Sequence, residues 1–491
     1  MPASLPKKTA SPAVTWFMHA ALITGLTILF ALACCLLLQA ALYLLSFPLS
    51  PLAPTLAALA SIGFIWLMAG KYLPQHRRVS SLLLCASLAV IGLGTLWVST
   101  RILDTSADGQ AYHASGILAL ENGWNPVRDE PLDSTDPNSH APYVNSYPKG
   151  TWILAASIYQ ATGRIEAGKA LHLLLLVACL GIALYALWSA GGFSFPTSVL
   201  LSVLISLNPV FIYQAFSFYV DGQLAILITI FLCLLALWVR KPDRALLALI
   251  GLTLLLLVNV KLTGLVYAGL LGAGLGAYAC YKTRRKEILL ALGLGLFFGV
   301  TVVGYNPYFT NLARYRNPFY PAINFDNPET VIASADIPPN LRDKNRFEKL
   351  FISLFSASEA GIKGARFKLP FTVSQGELEQ FVFPDVRIAG FGPLFSGALL
   401  LSGSGLLLAW IFRVPGAALA TGAGALLLFS ALTNPESWWA RYVPQLWLLP
   451  LLAVLVLVAS KRKWIRLLGF LTGAILLANL ILILAVYVPG Q

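Results

Sequence analysis

The sequence predicts an all-α polytopic membrane protein, and three observations support that prediction. Of its 491 residues, 58% are hydrophobic and only 11% are charged, whereas soluble chains carry about 25% charged residues. Apolar segments of bilayer-crossing length recur along the whole chain. Two long polar loops, 101–150 and 305–389, interrupt them. This composition excludes collagen-like, disordered and disulfide-rich proteins as well as cytosolic enzymes.

Thirteen apolar segments are predicted to cross the bilayer, which takes about 20 residues each. They are 17–46, 52–73, 80–100, 170–190, 195–214, 221–239, 245–261, 263–281, 287–304, 390–412, 416–433, 443–459 and 465–487. The shorter apolar stretch 151–162 predicts a juxtamembrane helix. Five regions follow from this pattern. They are a three-span segment (1–100), a first extracytoplasmic loop with juxtamembrane helices (101–169), a central transmembrane core (170–304), a large extracytoplasmic loop (305–389) and a C-terminal four-span segment (390–491).

The distribution of basic residues predicts the orientation in the membrane. If 151–162 does not cross, the short loops on one side hold 17 basic and 2 acidic residues, a net charge of +15. The other side holds 17 basic and 19 acidic residues, a net charge of −2. Because Lys and Arg are enriched in cytoplasmic loops, the N-terminus is predicted inside and the C-terminus outside. Both polar loops then lie on the extracytoplasmic face.

The first polar loop contains an acidic pair directly after the third span. Asp104 and Asp108 are four residues apart, and two carboxylates at this spacing suit a general base or a divalent metal site. Apolar spacing predicts a helix over 111–121, so a carboxylate here also suits a helix N-cap. The spacing does not rank the two residues.

Further ionisable residues lie at the extracytoplasmic ends of later spans. Asp221 opens the sixth span, Lys261 lies between the seventh and eighth, and Arg441-Tyr442 opens the twelfth. Charges at span ends can extend to water without a function. Their shared depth beside the acidic loop nevertheless favours one site. A carboxylate base beside Lys and Arg suits attack by a hydroxyl and departure of an anionic phosphate.

Histidine and tryptophan are less informative. His113 and His140 lie in the first loop, where they could bind a metal together with Asp108, although no metal site is assigned. Six of the twelve tryptophans lie near predicted membrane interfaces and fit an aromatic belt. Three others lie near the predicted site: Trp124, Trp438 and Trp439.

The order of several short motifs resembles the GT-C-fold glycosyltransferases that use polyprenyl-phosphate-linked sugars. The chain is similar to the group of protein O-mannosyltransferases and lipid A aminoarabinose transferases over about positions 80–460. The motifs are Asp108…Tyr112, Gly123-Trp124-Asn125-Pro126, Tyr147-Pro148-Lys149-Gly150, Asn208-Pro209…Asp221, Val260-Lys261-Leu262-Thr263-Gly264, Asn317-Pro318-Phe319-Tyr320-Pro321 and Arg441-Tyr442-Val443-Pro444. Position 109 is Gly where the family's acidic pair has Asp or Glu, which disfavours a divalent metal.

The resemblance implies an inverting transferase in a bacterial inner membrane, with its active site facing the periplasm. Asp108 would be the base, with Asp104 as the alternative. The donor and its phosphate would be bound by Lys149, Lys261, Arg441, Tyr442 and Asp221. Further substrate-site candidates are Tyr112, His113, Trp124, Tyr147, Asn317 and Tyr320. The implied partners are a polyprenyl-phosphate sugar, a cell-envelope glycan, lipid or protein acceptor, and the bilayer. No nucleic acid and no certain cofactor is implied.

Two other functions stay open at this stage. An O-antigen polymerase or ligase would have an Arg-rich extracytoplasmic loop containing His, whereas 305–389 is mixed in charge. A transporter or flippase of lipid-linked sugars would have ionisable residues near the middle of the membrane and interrupted helices. The ionisable residues here collect instead at one face.

Overall fold

The computed structural model describes residues 11–135, 140–320 and 337–491. Within these ranges the chain is helical and forms no strand. Its extended pairing is limited to two isolated bridges, Ser356 with Phe367 and Glu359 with Ile388. The predicted all-helical class is therefore confirmed for the described part of the chain.

Twenty α-helices lie in the described ranges. The first ten are α1 (Pro12–Leu44), α2 (Leu52–Tyr72), α3 (Arg77–Ser99), α4 (Ala114–Glu121), α5 (Ala141–Ser146), α6 (Gly150–Thr162), α7 (Ala170–Ser189), α8 (Phe195–Ser206), α9 (Pro209–Gln214) and α10 (Asp221–Arg240). The others are α11 (Arg244–Val258), α12 (Leu262–Thr283), α13 (Glu287–Phe298), α14 (Thr310–Tyr315), α15 (Arg346–Leu354), α16 (Gln375–Leu378), α17 (Phe395–Ile411), α18 (Ala417–Leu432), α19 (Leu448–Val458) and α20 (Lys463–Tyr487).

Among the described residues, seven helices are long and apolar enough to cross a membrane: α1, α2, α3, α7, α10, α12 and α20, some with a flanking turn. An eighth span is formed if the segments Glu287–Val303 and Tyr305–Tyr315, which meet at 75°, count together. Five shorter apolar helices of 10–17 residues fall in the other predicted spans. The chain is thus a multi-pass membrane protein in contact with a lipid bilayer.

Two predicted elements differ in detail from the helices observed. The predicted span 195–214 is two helices, because the Asn208 side chain accepts a hydrogen bond from the Val210 amide and caps α9, while Pro209 has no amide to continue α8. The helix predicted over 111–121 begins as a π-helical turn, Gly109–His113, before α4. The juxtamembrane helix predicted at 151–162 is present as α6.

The helices pack closely where small residues face each other. Gly25 on α1 lies against the Ala178 carbonyl on α7, and Gly181 on α7 lies against the Ala21 carbonyl on α1. A Cβ at either glycine would collide with the opposite backbone. Such small-residue contacts are how membrane helices approach each other without a hydrophobic driving force.

Ionisable side chains lie at both ends of the helix bundle. Lys71, in the last turn of α2, forms an ion pair with Asp243, which precedes α11. Both loops were predicted to be cytoplasmic, and this contact places them at the same end. Asp221 lies at the other end of α10, and 20 helical residues span about 30 Å. The ionisable residues predicted to form a site therefore lie about one bilayer thickness from the Lys71–Asp243 pair.

Candidate functional site

Asp108 and Arg441 form the centre of the site. The Arg441 Nη1 donates a hydrogen bond to Asp108 Oδ2 over 2.9 Å, and the Tyr112 hydroxyl approaches the same oxygen to 3.3 Å. Asp108 caps no helix, since its side chain makes no capping hydrogen bond to the turn that follows. Its side chain is 30% exposed, whereas that of Arg441 is 8% exposed. A buried cation thus holds a carboxylate that faces open space.

Aromatic rings surround the guanidinium. The Arg441 Cζ lies 4.9, 4.6 and 5.1 Å from the ring centres of Tyr219, Trp439 and Tyr442. Arg441 sits in a short helical turn, Ala440–Tyr442, so two of these rings are close to it in sequence: Tyr442 follows it directly, and Trp439 lies two residues before it. Cation–π contacts of this kind stabilise a charge that is shielded from water.

A second carboxylate, Asp385, contacts the same guanidinium, and the sequence analysis did not identify it. Its Oδ1 accepts a hydrogen bond from Trp439 Nε1 over 2.6 Å and lies 3.5 Å from Arg441 Nε. Its Oδ2 lies 3.7 Å from Arg387 Nε. The signal that could have identified it is an Asp-x-Arg pair just before the predicted span 390–412, at the same depth as the other span-end charges.

Lys261 and Asp221 form a neighbouring buried ion pair. The Lys261 Nζ lies 2.6 Å from Asp221 Oδ1 and 4.2 Å from the centre of the Tyr442 ring, which Arg441 also contacts. Asp221 is 2% exposed and opens α10, where the helix dipole stabilises a carboxylate. Gln214 braces this position, because its amide donates to Asp221 Oδ2 and accepts from the Gly222 amide.

The cluster as a whole is balanced in charge. Three carboxylates and three basic side chains meet here: Asp108, Asp221, Asp385, Lys261, Arg387 and Arg441. They come from five separate parts of the chain, namely the first loop, the start of α10, the turn before α12, the segment before α17 and the segment after α18. Neutral clusters of this kind lower the cost of removing charges from water.

The two carboxylates on Arg441 have opposite pKa shifts. Burial acts to raise the pKa of Asp108, but the adjacent Arg441 guanidinium outweighs it and holds the pKa below its ordinary value. Burial raises the pKa of Asp385 above its ordinary value, even though Arg441 opposes that shift. Divergent pKa values in one site are typical of groups with different roles in proton transfer. Asp108, whose pKa is lowered, is also the more exposed of the two, with 30% of its side chain exposed against 15% for Asp385.

Asp104 is buried, and its carboxylate accepts hydrogen bonds from backbone amides. Its Oδ1 accepts from the Ser106 amide and its Oδ2 from the Phe218 amide, each over 2.8 Å. The Asp104 carboxylate also lies directly below Gly109, where a Cβ would collide with it. The two residues of the acidic pair therefore differ in their surroundings. Asp104 holds the loop through its hydrogen bonds to backbone amides, and Asp108 is partly exposed. The position of the Asp104 carboxylate also explains why position 109 has no side chain.

The Lys149 side chain is fully buried. Its Nζ donates to the carbonyls of Asn145 (2.9 Å) and Tyr147 (2.6 Å) and to Asn306 Oδ1 (2.6 Å). These bonds use all three donors of an ammonium group. Burial lowers the pKa of Lys149 well below its ordinary value. Lys149 therefore ties the first loop to the segment that contains Asn306.

An aromatic wall continues from Asp108 toward Lys149. The Tyr112 and Tyr147 rings lie 5.7 Å apart, and His113 Nδ1 accepts a hydrogen bond from Trp152 Nε1 over 2.8 Å. Burial lowers the pKa of His113 to about 3, so the ring is neutral at physiological pH. His113 thus has a fixed orientation in the wall.

The remaining predicted residues lie in neighbouring segments. Trp124 donates to the Glu130 carbonyl, and its ring lies 5.8 Å from the Lys149 Nζ. Tyr320 stacks on Tyr315 with ring centres 3.8 Å apart. Two further contacts complete this set: Asn317 Oδ1 accepts from the Phe319 amide, and His140 lies 6.4 Å from the Tyr143 ring. Trp438 stacks on Trp439 and so lies beside the Arg441 cluster.

The described residues offer no candidate metal site, and no known protein matches the chain. Across residues 11–135, 140–320 and 337–491, no group of three or more His, Cys, Asp or Glu side chains could hold a metal ion. Compared with known proteins, the chain matches no family model, no curated protein and no solved structure.

Proposed function

We propose that this protein is an inverting glycosyltransferase of the GT-C type that uses a polyprenyl-phosphate-linked sugar. The observation that carries the proposal is the Asp108–Arg441 pair, in which a partly exposed, ionised carboxylate lies beside a buried guanidinium at one end of the bundle. A reaction that takes a proton from a hydroxyl and releases an anionic phosphate needs both groups within a few ångströms.

In the proposed reaction, Asp108 accepts the proton of the acceptor hydroxyl. The hydroxyl oxygen then bonds to the anomeric carbon from the face opposite the phosphate, and the bond from that carbon to the phosphate oxygen breaks. The electron pair of the broken bond stays with the polyprenyl phosphate. Arg441 stabilises that charge, since the guanidinium fork suits phosphate oxygens. Inversion at the anomeric carbon follows from attack on the opposite face.

Lys261 and Tyr442 complete the proposed phosphate site. The Lys261 ammonium and the Arg441 guanidinium both lie close to the Tyr442 ring, at 4.2 and 5.1 Å from its centre. Asp221 positions Lys261, and Asp385 positions Arg441. We assign Lys149 a positioning role as well, because its three donors are used within the chain.

The proposal includes thirteen crossings, with the site facing the periplasm of a bacterial inner membrane. Seven long helices, one bent pair and five shorter apolar helices correspond one to one with the thirteen predicted spans. The Lys71–Asp243 pair and the Arg441 cluster at opposite ends of α10 agree with the orientation that the basic loops predict.

One observation favours a second candidate, a transporter of lipid-linked sugars. The chain bends by 75° between Val303 and Tyr305, and interrupted helices are typical of transporter binding sites. Such sites lie near the middle of the bilayer. The charged cluster here lies instead at span ends, and that location favours the transferase.

The test is transfer of radiolabelled sugar from polyprenyl-phosphate donors to lipid, polysaccharide and protein fractions by the purified chain in liposomes. We expect transfer by the wild type, none by Asp108→Asn, and retained transfer per folded molecule by Asp104→Asn. Asp243→Asn, which removes a carboxylate at the opposite end, is the matched control. Transfer by Asp108→Asn equal to that of the wild type would exclude Asp108 as the base. Movement of intact donor across the bilayer without transfer would instead establish the transporter.

A further inference from the structure

The large extracytoplasmic loop exposes a group of large apolar side chains outside the membrane-spanning helices. Phe347, Phe351, Phe367 and Leu369 are 68%, 57%, 64% and 76% exposed, and we call them the Phe347 face. Exposed apolar patches outside the lipid-facing surface usually mark an interaction site. The question is which partner covers this one.

Local structure holds the face together. Asn345 and Glu348 form a capping box that starts α15, and this helix buries Leu350 against the body of the protein. Phe347 and Phe351, one turn apart, then lie side by side on the outer surface. The bridge between Ser356 and Phe367 brings the Phe367 ring to 6.4 Å from that of Phe351.

Two contacts place this face beside the ends of membrane helices. The Phe371 ring lies directly against Gly397 in the first turns of α17. Arg346, which opens α15, donates a hydrogen bond over 2.6 Å to the carbonyl of Leu432, the last residue of α18. The Phe347 face is therefore continuous with the surface that these apolar helices present to lipid, at the level where they end.

Charge around the face is complementary to an anionic surface. Residues 342–371 hold seven basic and three acidic side chains, a net charge of +4. Lys363 and Arg366 are exposed between the aromatic positions. Basic residues beside exposed aromatic rings are typical of segments that lie in the membrane interface and bind anionic lipid.

We infer that the Phe347 face is a membrane-binding surface that inserts its rings into the outer leaflet beside α17 and α18, with its basic side chains on anionic phospholipid headgroups. One side of the loop would then be bound to the bilayer surface, while Asp385 holds its other side to the helix bundle. This inference stands independently of the proposed enzymatic activity. An apolar face of this size in water would otherwise favour self-association.

The test is photo-cross-linking of the full chain in vesicles of phosphatidylcholine and phosphatidylglycerol in equal parts, with labelled phospholipid. The photoreactive residue p-benzoylphenylalanine replaces Phe351 or Leu369. Position 400 on α17 serves as the lipid-facing control, and position 379, an exposed glutamate of the same loop, serves as the polar control. We expect lipid to attach at 351 and 369 as strongly as at 400, and not at 379.

Three outcomes would overturn the inference. Lipid attachment at 351 and 369 no greater than at 379 would place the face in water. Cross-links to a second copy of the chain would assign it to a homo-oligomer. Equal attachment in vesicles with and without phosphatidylglycerol would remove the anionic-lipid component.

The charge component has its own variant. In Lys363→Gln/Arg366→Gln, attachment at 351 in phosphatidylglycerol vesicles is expected to fall to the level seen in pure phosphatidylcholine. Undiminished attachment at 400 shows that the variant is inserted and folded. Undiminished attachment at 351 would show that these two charges do not bind headgroups.

Discussion

The carboxylate of Asp108 accepts a 2.9 Å hydrogen bond from Arg441, a residue 333 positions later in the chain. One guanidinium thereby connects the first polar loop to the turn before the last two apolar helices, α19 and α20, and through Asp385 to the end of the second polar loop. Without substrate, the proposed base and the proposed phosphate-binding group neutralise each other. A bound phosphate would compete with Asp108 for Arg441 and release the carboxylate toward the acceptor.

Removing the Asp108 carboxylate should abolish transfer. Asp108→Asn keeps the size of the side chain but cannot accept a proton, so we expect kcat to fall about 10²–10⁴-fold, the usual contribution of a general base. Asp108→Glu retains the carboxylate and should keep part of the activity. The measurement is initial transfer rate at saturating donor, with thermal unfolding of each variant as the control. A loss of less than tenfold in Asp108→Asn would argue against the role.

The pH dependence should report the Arg441–Asp108 contact. Asp108 acts as a base only when deprotonated, and Arg441 counters burial to keep its pKa below the ordinary value. Arg441→Gln removes the largest of the charges that oppose burial, so the pKa of Asp108 rises and the acid limb of kcat/KM moves to higher pH. Arg441→Lys keeps the charge and should shift the limb less. The measurement is the pH profile of kcat/KM for the wild type and the two variants. An acid limb that does not move in Arg441→Gln would contradict the effect of Arg441 on the pKa of Asp108.

The Lys261–Asp221 pair should show strong coupling in stability. Lys261→Met leaves the Asp221 carboxylate buried without its cation, and breaking a buried pair in this way costs about 3–5 kcal/mol. Asp221→Asn/Lys261→Met removes both charges and should recover most of that loss. Chemical unfolding in detergent micelles gives the four free energies of the double-mutant cycle. A double variant no more stable than Lys261→Met would show that the pair does not act as a unit.

A side chain at position 109 should destabilise the first loop. A Cβ there would collide with the Asp104 carboxylate and the Ser106 hydroxyl, so Gly109→Ala is expected to cost about 1–3 kcal/mol. Gly109→Asp should cost more because it adds a charge next to Asp104. Gly376→Ala, at a glycine of the short helix α16 with open space around it, is the control. Unchanged thermal unfolding of Gly109→Ala would show that the loop can shift to accommodate a methyl group.

Much of the helical architecture could be predicted from hydropathy alone. Each of the thirteen predicted segments falls on an apolar helix or bent pair. Helix interruptions were harder to predict. The break before Pro209 depends on the Asn208 cap, and a hydropathy value averaged over the whole segment does not detect a feature of a single residue. A similar limit applies to Asp385, because a single carboxylate in a loop of mixed charge has no periodic signal.

By itself, the sequence determined the all-helical, multi-pass class of the protein, the apolar segments from which its long helices form, and the position of ionisable residues at the ends of those segments. The reason is energetic and local, since each apolar segment excludes water on its own and each charge must stay near a span end. Only the tertiary structure decided which carboxylate is open to a ligand. Asp104 and Asp108 are equivalent in sequence, and their roles separate because Phe218 and Ser106 supply amides to one while Arg441 reaches the other. Those contacts join distant parts of the chain, so they exist only once the helices have packed.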